Sequence, residues 1–430
     1  MFGRKQASLS LQRSCSHPSL GLVDDLFTIS PCGYQTTKLN QFINSKTAEK
    51  RLQFGTSKCI KLHVGQTCNA ALCKDLYVDG WKTEVETDPV TGKCFQSEHY
   101  GGMEKMKVKQ EQTYLGDEIS ADGKHGKNVK ARSNKGLGII TQITHILDSV
   151  LFGKNYFEVA MVLRASLLLS SLLLNSEAWV NLTDRDIREL EKTDEILLSK
   201  ILECEANTSN TFKYLELGIV PIRFEIMKRK IIFLQYILKQ DKESMMFKVF
   251  KATCENPIKN DFVEKCKKYL QQLNIKMSFE EIGQMSNMKF KNIVKQKTEE
   301  AGFKYLLIEK NKQTKIADLN YENLEMQEYL NDGNRNTRIS KLIFKARGRN
   351  LDIKMHKKWK YSDAICLGCG KNDETENELL LCDGFGDRNE NEELTYSWLF
   401  DSSVTKMVKV AIEIEKRLKR RKVLLEEEPG

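Results

Sequence analysis

The sequence predicts an α+β chain, short antiparallel strands followed by a mainly helical remainder, and three observations carry that reading. Strand-length apolar runs near the N-terminus flank a turn signal of two aspartates. From Gly123 onward apolar residues recur at helical spacing. Only 6 prolines and 8% aromatic residues occur in 430 positions, which suits long helices. With 40% hydrophobic residues the chain can bury a large core and is long enough for more than one domain.

The first element is the run Leu20 to Ile29, where Leu20, Leu22, Leu26 and Ile29 favour short buried strands and Asp24 and Asp25 fall at the turn. Aspartate is common in turns because its side chain bonds nearby backbone groups. The same adjacent carboxylates also offer the oxygens that hard divalent cations prefer. Residues 1–19 carry Arg4, Lys5 and Arg13 among serines and no acid, so they lack the apolar core of a secretory signal; a truncated gene start explains them better than a transit peptide. A helix is expected over Lys38 to Gln53, then Phe54, Gly55, Lys58 and Cys59, then the alternating strand Ile60, Leu62, Val64. Gly65 to Gln110 has little periodicity and reads as an extended loop or a β insertion. Tyr114, Leu115 and Gly116 read as a strand end.

Helices follow. Ile139, Ile143, Ile146 and Val150 share one face. Val159 to Leu174 is the most apolar segment, but Arg164 interrupts it and it is shorter than the ~20 residues of a membrane span, so it is expected to be a buried helix. Thr183 with Asp186, and Ser278 with Glu281, have capping-box spacing. Pro221 suits a helix start, with Met227, Ile231, Leu234 and Leu238 as the apolar stripe and Lys228, Arg229 and Lys230 off it. That basic cluster reads equally as a track for a nucleic-acid backbone or as a solvated face. At the C-terminus, Val404, Val408, Ala411 and Ile412 share a face, while Lys416, Arg417, Lys419, Arg420, Arg421 and Lys422 form a positive cluster. It suits phosphate contacts or nuclear import, or simply a solvated helix end.

Lys and Arg total 68 against 59 Asp and Glu, a net charge of +9, which favours contact with a polyanion. The 12 cysteines lack the dense spacing of a secreted scaffold, so free thiols in a reducing compartment, nucleus or cytoplasm, are expected. Three of them stand apart. Cys366 and Cys369 form a Cys-x-x-Cys before Gly370, and Cys382 follows Leu379, Leu380 and Leu381; thiolates at that spacing can grip one Zn²⁺ from a tight turn. The acidic stretch Asn372 to Glu393 around them reads as an exposed loop.

The order of Asp24 and Asp25, Phe54, Gly55, Lys58, the strand at Ile60, and Tyr114, Leu115 and Gly116 resembles the second half of the palm of a reverse transcriptase of the non-LTR, LINE-like retrotransposon type. Lys124 to Gln240, with Leu168 to Trp179 and Tyr214 to Phe233, looks like that family's thumb. Cys366, Cys369 and Cys382 look like a zinc knuckle whose family pattern is Cys, Cys, His, Cys; Glu378 stands where the histidine is expected, and His356 lies upstream as a lesser substitute. The resemblance implies a partial palm over 20–123 after an unassigned 1–19, a helical thumb over 124–255, a helical basic connection over 256–355, a zinc-knuckle-like module over 356–400 and a basic C-terminal helix over 401–430.

For function, the resemblance implies an RNA-directed DNA polymerase that works on an RNA template and a DNA primer or target, with Mg²⁺ at Asp24 and Asp25, Lys58 at the leaving pyrophosphate, and Tyr114, Leu115 and Gly116 as a primer grip. Zn²⁺ would be held by Cys366, Cys369, Glu378 and Cys382, and nucleic acid by Lys228, Arg229, Lys230, Arg417, Lys419, Arg420 and Arg421. Polymerisation also needs an upstream palm carboxylate strand and a fingers domain, in this chain or a complementary fragment. The chain alone is therefore expected to be inactive, with a non-catalytic RNA- or DNA-binding remnant as the alternative. No membrane partner is expected.

Overall fold

The structure is a computed structural model that describes residues 19–22, 25–28, 40–46, 49, 54–55, 59–62, 77–87, 94–105, 107–109, 111–114, 117–120 and 123–150. Beyond these it describes 155–427, apart from 181, 258–259, 332–335, 359, 362, 387–393 and 402. Two compact units form, residues 1–128 and 129–430.

In the smaller unit, β1 (Ser19–Leu22) and β2 (Asp25–Thr28) are antiparallel with Leu22 opposite Asp25, the hairpin expected at the aspartate pair. β3 (Phe54–Gly55) runs parallel to β5 (Tyr77–Thr87), which pairs antiparallel with β6 (Cys94–Lys105). The segment without periodicity is thus a β insertion, and a register shift at Gly80 and Trp81 marks a bulge in its long hairpin. β4 (Ile60–Leu62) lies parallel to β7 (Lys107–Lys109), and β8 (Glu111–Tyr114) pairs antiparallel with β9 (Asp117–Ser120). Residues 40–46 are helical within the helix expected over 38–53, while Val64 lies outside the described residues.

The larger unit is helical. α1 (Gly126–Val150) buries Val129, Ile140, Ile143 and Leu147, a face turned one residue from the expected one, so that Ile139 is only partly buried. The expected apolar helix is α2 (Tyr156–Leu163) followed by a π-helical run, Arg164–Leu169, and Ser170–Leu172. It is not buried all round: Val162 is 64% exposed. Arg164 is no interruption but an internal anchor, giving two 2.7 Å bonds to the fully buried carboxylate of Asp194. Asp194 lies on α3 (Asp184–Leu202), which opens with the expected Thr183 and Asp186 capping box.

After α4 (Asn210–Glu216), Pro221 precedes α5 (Ile222–Leu238), whose buried face includes Phe224, Ile226, Ile231, Leu234 and Ile237. The basic cluster on α5 is engaged by the fold, Lys230 fully and Lys228 and Arg229 in part. Lys230 is 1% exposed and donates to the carbonyls of Glu177 and Trp179; burial pushes its pKa down to about 8. Arg229 donates to the carbonyls of Leu173 and Leu169, and Lys228 pairs with Glu225 at 2.6 Å. Their donors satisfy carbonyls and an acid of the fold, and only Lys230 is closed off from solvent.

The second half of α5 joins α6 (Met245–Glu255), α7 (Phe262–Gln272), α8 (Phe279–Gln284) and the first part of α9 (Asn287–Asn311) in one apolar cluster around Ile231, Leu234, Cys266, Ile282, Phe290 and Val294. Ser278 and Glu281 cap α8 reciprocally, as their spacing predicts. The remaining core runs from α1 through α10 (Glu328–Asn331) and α11 (Thr337–Arg347) to the three cysteines and the C-terminal helix.

A buried acid ties that core together. Glu216, 0% exposed, accepts from Arg347 at 3.1 and 3.2 Å, from Tyr321 at 2.6 Å and from Tyr329. Arg347 also donates to the Leu399 carbonyl at 2.6 Å. Burial and the Glu216 charge raise both tyrosine pKa values well above the usual range, so both hydroxyls stay protonated donors. Replacing Glu216 by Ala leaves Arg347 buried without its acid. A loss of about 3–5 kcal/mol in denaturant unfolding is expected, and Tyr321→Phe is expected to cost less.

Candidate metal centre

The stretch from Ala364 to Phe385 folds around its own backbone before any ligand is considered. Cys366 N–H donates to the Asn372 carbonyl at 2.7 Å and Glu374 N–H to the Ala364 carbonyl at 2.6 Å, closing a tight hairpin across the bridge of Ile365 and Asp373. Within it Gly370 adopts φ +64° and its N–H reaches the Cys366 carbonyl at 2.8 Å, a turn that glycine makes without steric cost. Thr375 then caps α12 (Glu376–Leu381) by accepting from Glu378 N–H at 3.1 Å, and Cys382 closes the helix before a 3₁₀ turn, Asp383–Phe385. The expected exposed acidic loop is therefore partly a helix, with Leu379 and Leu380 buried.

This path brings Cys366, Cys369, Glu378 and Cys382 together, with their ligand atoms all within 4.8 Å of one another. Cys366 Sγ lies 3.7 Å from Cys382 Sγ, and Cys369 Sγ lies 3.2 Å from Glu378 Oε1. A tetrahedral Zn²⁺ with bonds of about 2.3 Å to sulfur needs ligand edges of about 3.8 Å, so this spacing suits one ion. Glu378 has the position of a capping-box acid, three residues after Thr375, but its carboxylate turns to the thiols; Asn372 holds its second oxygen at 3.1 Å.

Backbone N–H groups point at all three sulfurs: those of Gly368 and Cys369 at Cys366, of Asn372 and Lys371 at Cys369, and of Gly384 at Cys382. Such donors stabilise thiolates around a cation. Without one, burial pushes Cys366 up to about 12 and raises Cys382, whereas the N–H groups of Asn372 and Lys371 lower Cys369. A coordinated cation reverses the balance by deprotonating the thiols. A close glycine approach keeps the two ligand loops together: a Cβ on Gly384 would lie 2.1 Å from the Gly368 carbonyl oxygen.

His356 is excluded as a ligand by its partners. Its Nδ1 accepts from Leu351 N–H at 3.1 Å and its Nε2 meets Glu376 at 2.7 Å. Burial raises the Glu376 carboxyl, but the hydrogen bond from His356 and that from the Glu376 backbone N–H prevail and leave it below its usual range.

The C-terminal helix α13 (Val404–Glu427) packs with most of the expected face, Ala411 buried and Val404 and Val408 against the core, but Ile412 falls off it. Met407, Val410, Ala411 and Ile414 are buried while Ile412 is 53% exposed. Arg417 and Arg421, expected to meet nucleic acid, point inward instead. Arg417 donates to the carbonyls of Cys382 at 2.8 Å and Leu379 at 3.3 Å, and Arg421 grips Glu374 at 2.7 and 2.9 Å. Their four-residue spacing on the apolar face was the signal that could have placed them. Lys416, Lys419, Arg420 and Lys422 remain exposed.

Of the polymerase-like positions, Asp25 opens β2 and Tyr114 ends β8 opposite Asp117. Asp24, Lys58, Leu115 and Gly116 lie outside the described residues. Cys59, Cys204, Cys254 and Cys266 are free thiols, as are the three at the centre. Among the described residues, no helix is long and apolar enough to cross a membrane. No protein-family model, curated protein or solved structure matches the chain.

The purified chain is expected to take up one equivalent of zinc, with Cys382→Ser abolishing uptake in a chelator-competition titration. Affinity should fall as pH falls, because protons compete for the thiolates. Gly384→Ala should weaken zinc at least about tenfold, or about 1.4 kcal/mol, by forcing the ligand loops apart.

Proposed function

We propose that the chain is the nucleic-acid-holding part of a non-LTR retrotransposon RNA-directed DNA polymerase, fastened by a structural zinc ion. The observation that carries this reading is the division of labour on α13. Arg417 and Arg421 are engaged by the cysteine module, whereas Lys416, Lys419 and Lys422 keep side chains 64%, 65% and 79% exposed on the outer face. The three lysines pair at 3.8–4.0 Å with Glu413, Glu415 and Glu426 of the same helix, loose exposed pairs that, with exposed Arg420, suit exchange for phosphates along an RNA or DNA strand. The net charge of +9 favours the same class of partner.

Zinc here would do no chemistry. Four protein ligands leave no open position, the pattern of a structural site. Mg²⁺ belongs to the second reading, polymerisation by this chain, which the β1 and β2 hairpin favours because it sets Asp25 at the start of a strand directly after Asp24. That reading needs further carboxylates and substrate phosphates around the ion.

Fluorescence anisotropy with RNA and with an RNA–DNA hybrid at several salt concentrations tests the holding role. Replacing Lys416, Lys419, Arg420 and Lys422 together by Gln should flatten the slope of log affinity against log salt by about 0.7–0.9 for every phosphate left unneutralised. An unchanged slope would remove α13 from the interface. RNA-templated primer extension in Mg²⁺, abolished by Asp24→Asn, would assign polymerase chemistry to the chain itself.

A further inference from the structure

We infer that metal binding at the cysteine centre is what seats the C-terminal half of α13, with Arg417 as the positioning residue that couples the two. The inference rests on the metal reading of the centre, and its consequence for nucleic acid rests on the proposed function.

Two kinds of packing hold α13 in place. Up to Ile414 its inward face is apolar and packs against the core. After Ile414 the fully buried positions are Arg417 and Arg421, each 2% exposed, and the apolar residues there, Leu418 and Leu424, pack only partly buried against the core. A buried guanidinium stays only where its donors are satisfied. Besides Glu413 on the same helix, Arg417 donates to the Leu379 and Cys382 carbonyls, and Arg421 donates to the Glu374 carboxylate. Leu379, Cys382 and Glu374 all belong to the module that carries the ligands.

Glu374 is also held by Lys354 N–H at 2.8 Å, but the Leu379 and Cys382 carbonyls have only a small apolar core behind them. The module's buried apolar side chains between Ala364 and Phe385 are Leu379, Leu380 and Phe385 with two of the cysteines, a small core for a loop, one short helix and a 3₁₀ turn. Segments of this kind are ordered by their ion, because the free energy of metal binding is also free energy of folding. Without it, three sulfurs and a carboxylate no longer share a cation that draws them together, and the Cys382 carbonyl moves with its side chain. Arg417 then loses its acceptor, and the helix beyond Ile414 is left with only the partly buried Leu418 and Leu424 to seat it. Arg417 touches no ligand atom; it reads the position of one through the carbonyl of Cys382.

Coupling of two binding equilibria is reciprocal. If the ion seats the helix, the seated helix tightens the ion. A residue remote from the ligand atoms must therefore affect zinc affinity, which a merely packed helix would not show. In the loaded state the outer cations at Lys416, Lys419 and Arg420 hold one direction; in the free state they do not, and the nucleic-acid surface becomes zinc-dependent.

The test uses the full chain. Hydrogen exchange is measured before and after stripping zinc with a chelator, with metal content read by atomic emission. Protection over 415–427 should fall at least tenfold together with 364–386, while α3 and α5 keep theirs. In parallel, zinc affinity is measured by competition with a chromophoric chelator for Arg417→Gln, expected to be weakened about tenfold, and for Arg417→Lys, expected to recover part of the loss. A chain that takes up no zinc overturns the proposal. So does unchanged protection over 415–427 in the stripped chain, or wild-type zinc affinity in Arg417→Gln. Zinc-dependent protection without any affinity for RNA or DNA would support the coupling and overturn the functional reading instead.

Discussion

The carboxylate of Glu216 accepts hydrogen bonds from Arg347, Tyr321 and Tyr329, three side chains more than a hundred residues away in sequence, and the larger unit depends on that convergence. Each donor comes from a different segment: Tyr321 from the turn after α9, Tyr329 from α10, Arg347 from the end of α11. The backbone adds a further bond, Gln327 N–H to the Glu216 carbonyl at 3.0 Å. Arg347 carries the network on to Leu399, in the 3₁₀ turn Tyr396–Phe400 that packs against α13. Fully satisfied, such a buried network specifies one arrangement of the elements it joins; partly satisfied, it would be less stable than an apolar core.

The same device recurs. Arg164 is buried against Asp194, Lys230 against two carbonyls, Arg421 against Glu374. Part of what counts as basic surface in the sequence is interior structure here. Lysine and arginine stems pack as apolar chain while the charged head reaches an acceptor left over from a helix end or an acid. The excess of positive charge still points to a polyanionic partner, but it has to be sought among the cations the fold leaves outside. On α13 inner and outer cations alternate along one helix.

That alternation connects the metal centre to the proposed role. A cation held by three thiolates and a carboxylate would have no vacant position, so its contribution would be geometric: it would fix where the Cys382 carbonyl lies, which in turn receives Arg417. Glu378 in place of a neutral histidine adds negative charge to the cage. The N–H groups of Gly368, Lys371, Asn372 and Gly384, which face the sulfurs, offset part of it.

The features legible in the amino-acid order were local: the hairpin around Asp25, the capping boxes at Thr183 and Ser278, the helix start after Pro221, and the grouping of Cys366, Cys369, Glu378 and Cys382. Each depends on neighbours within a few residues, or on a ligand spacing that a short turn can satisfy, and such neighbours leave a readable pattern. The direction in which the long cationic side chains face emerged only from the assembled fold. Periodicity marks a stripe as apolar or charged, but whether Lys230, Arg417 or Arg421 is surface or anchor depends on an acceptor brought from far along the chain. The same holds for the buried face of α1 and for His356, whose two ring nitrogens are claimed by Leu351 and Glu376. A buried charge is stabilised by its partner, and the partner is a property of the fold.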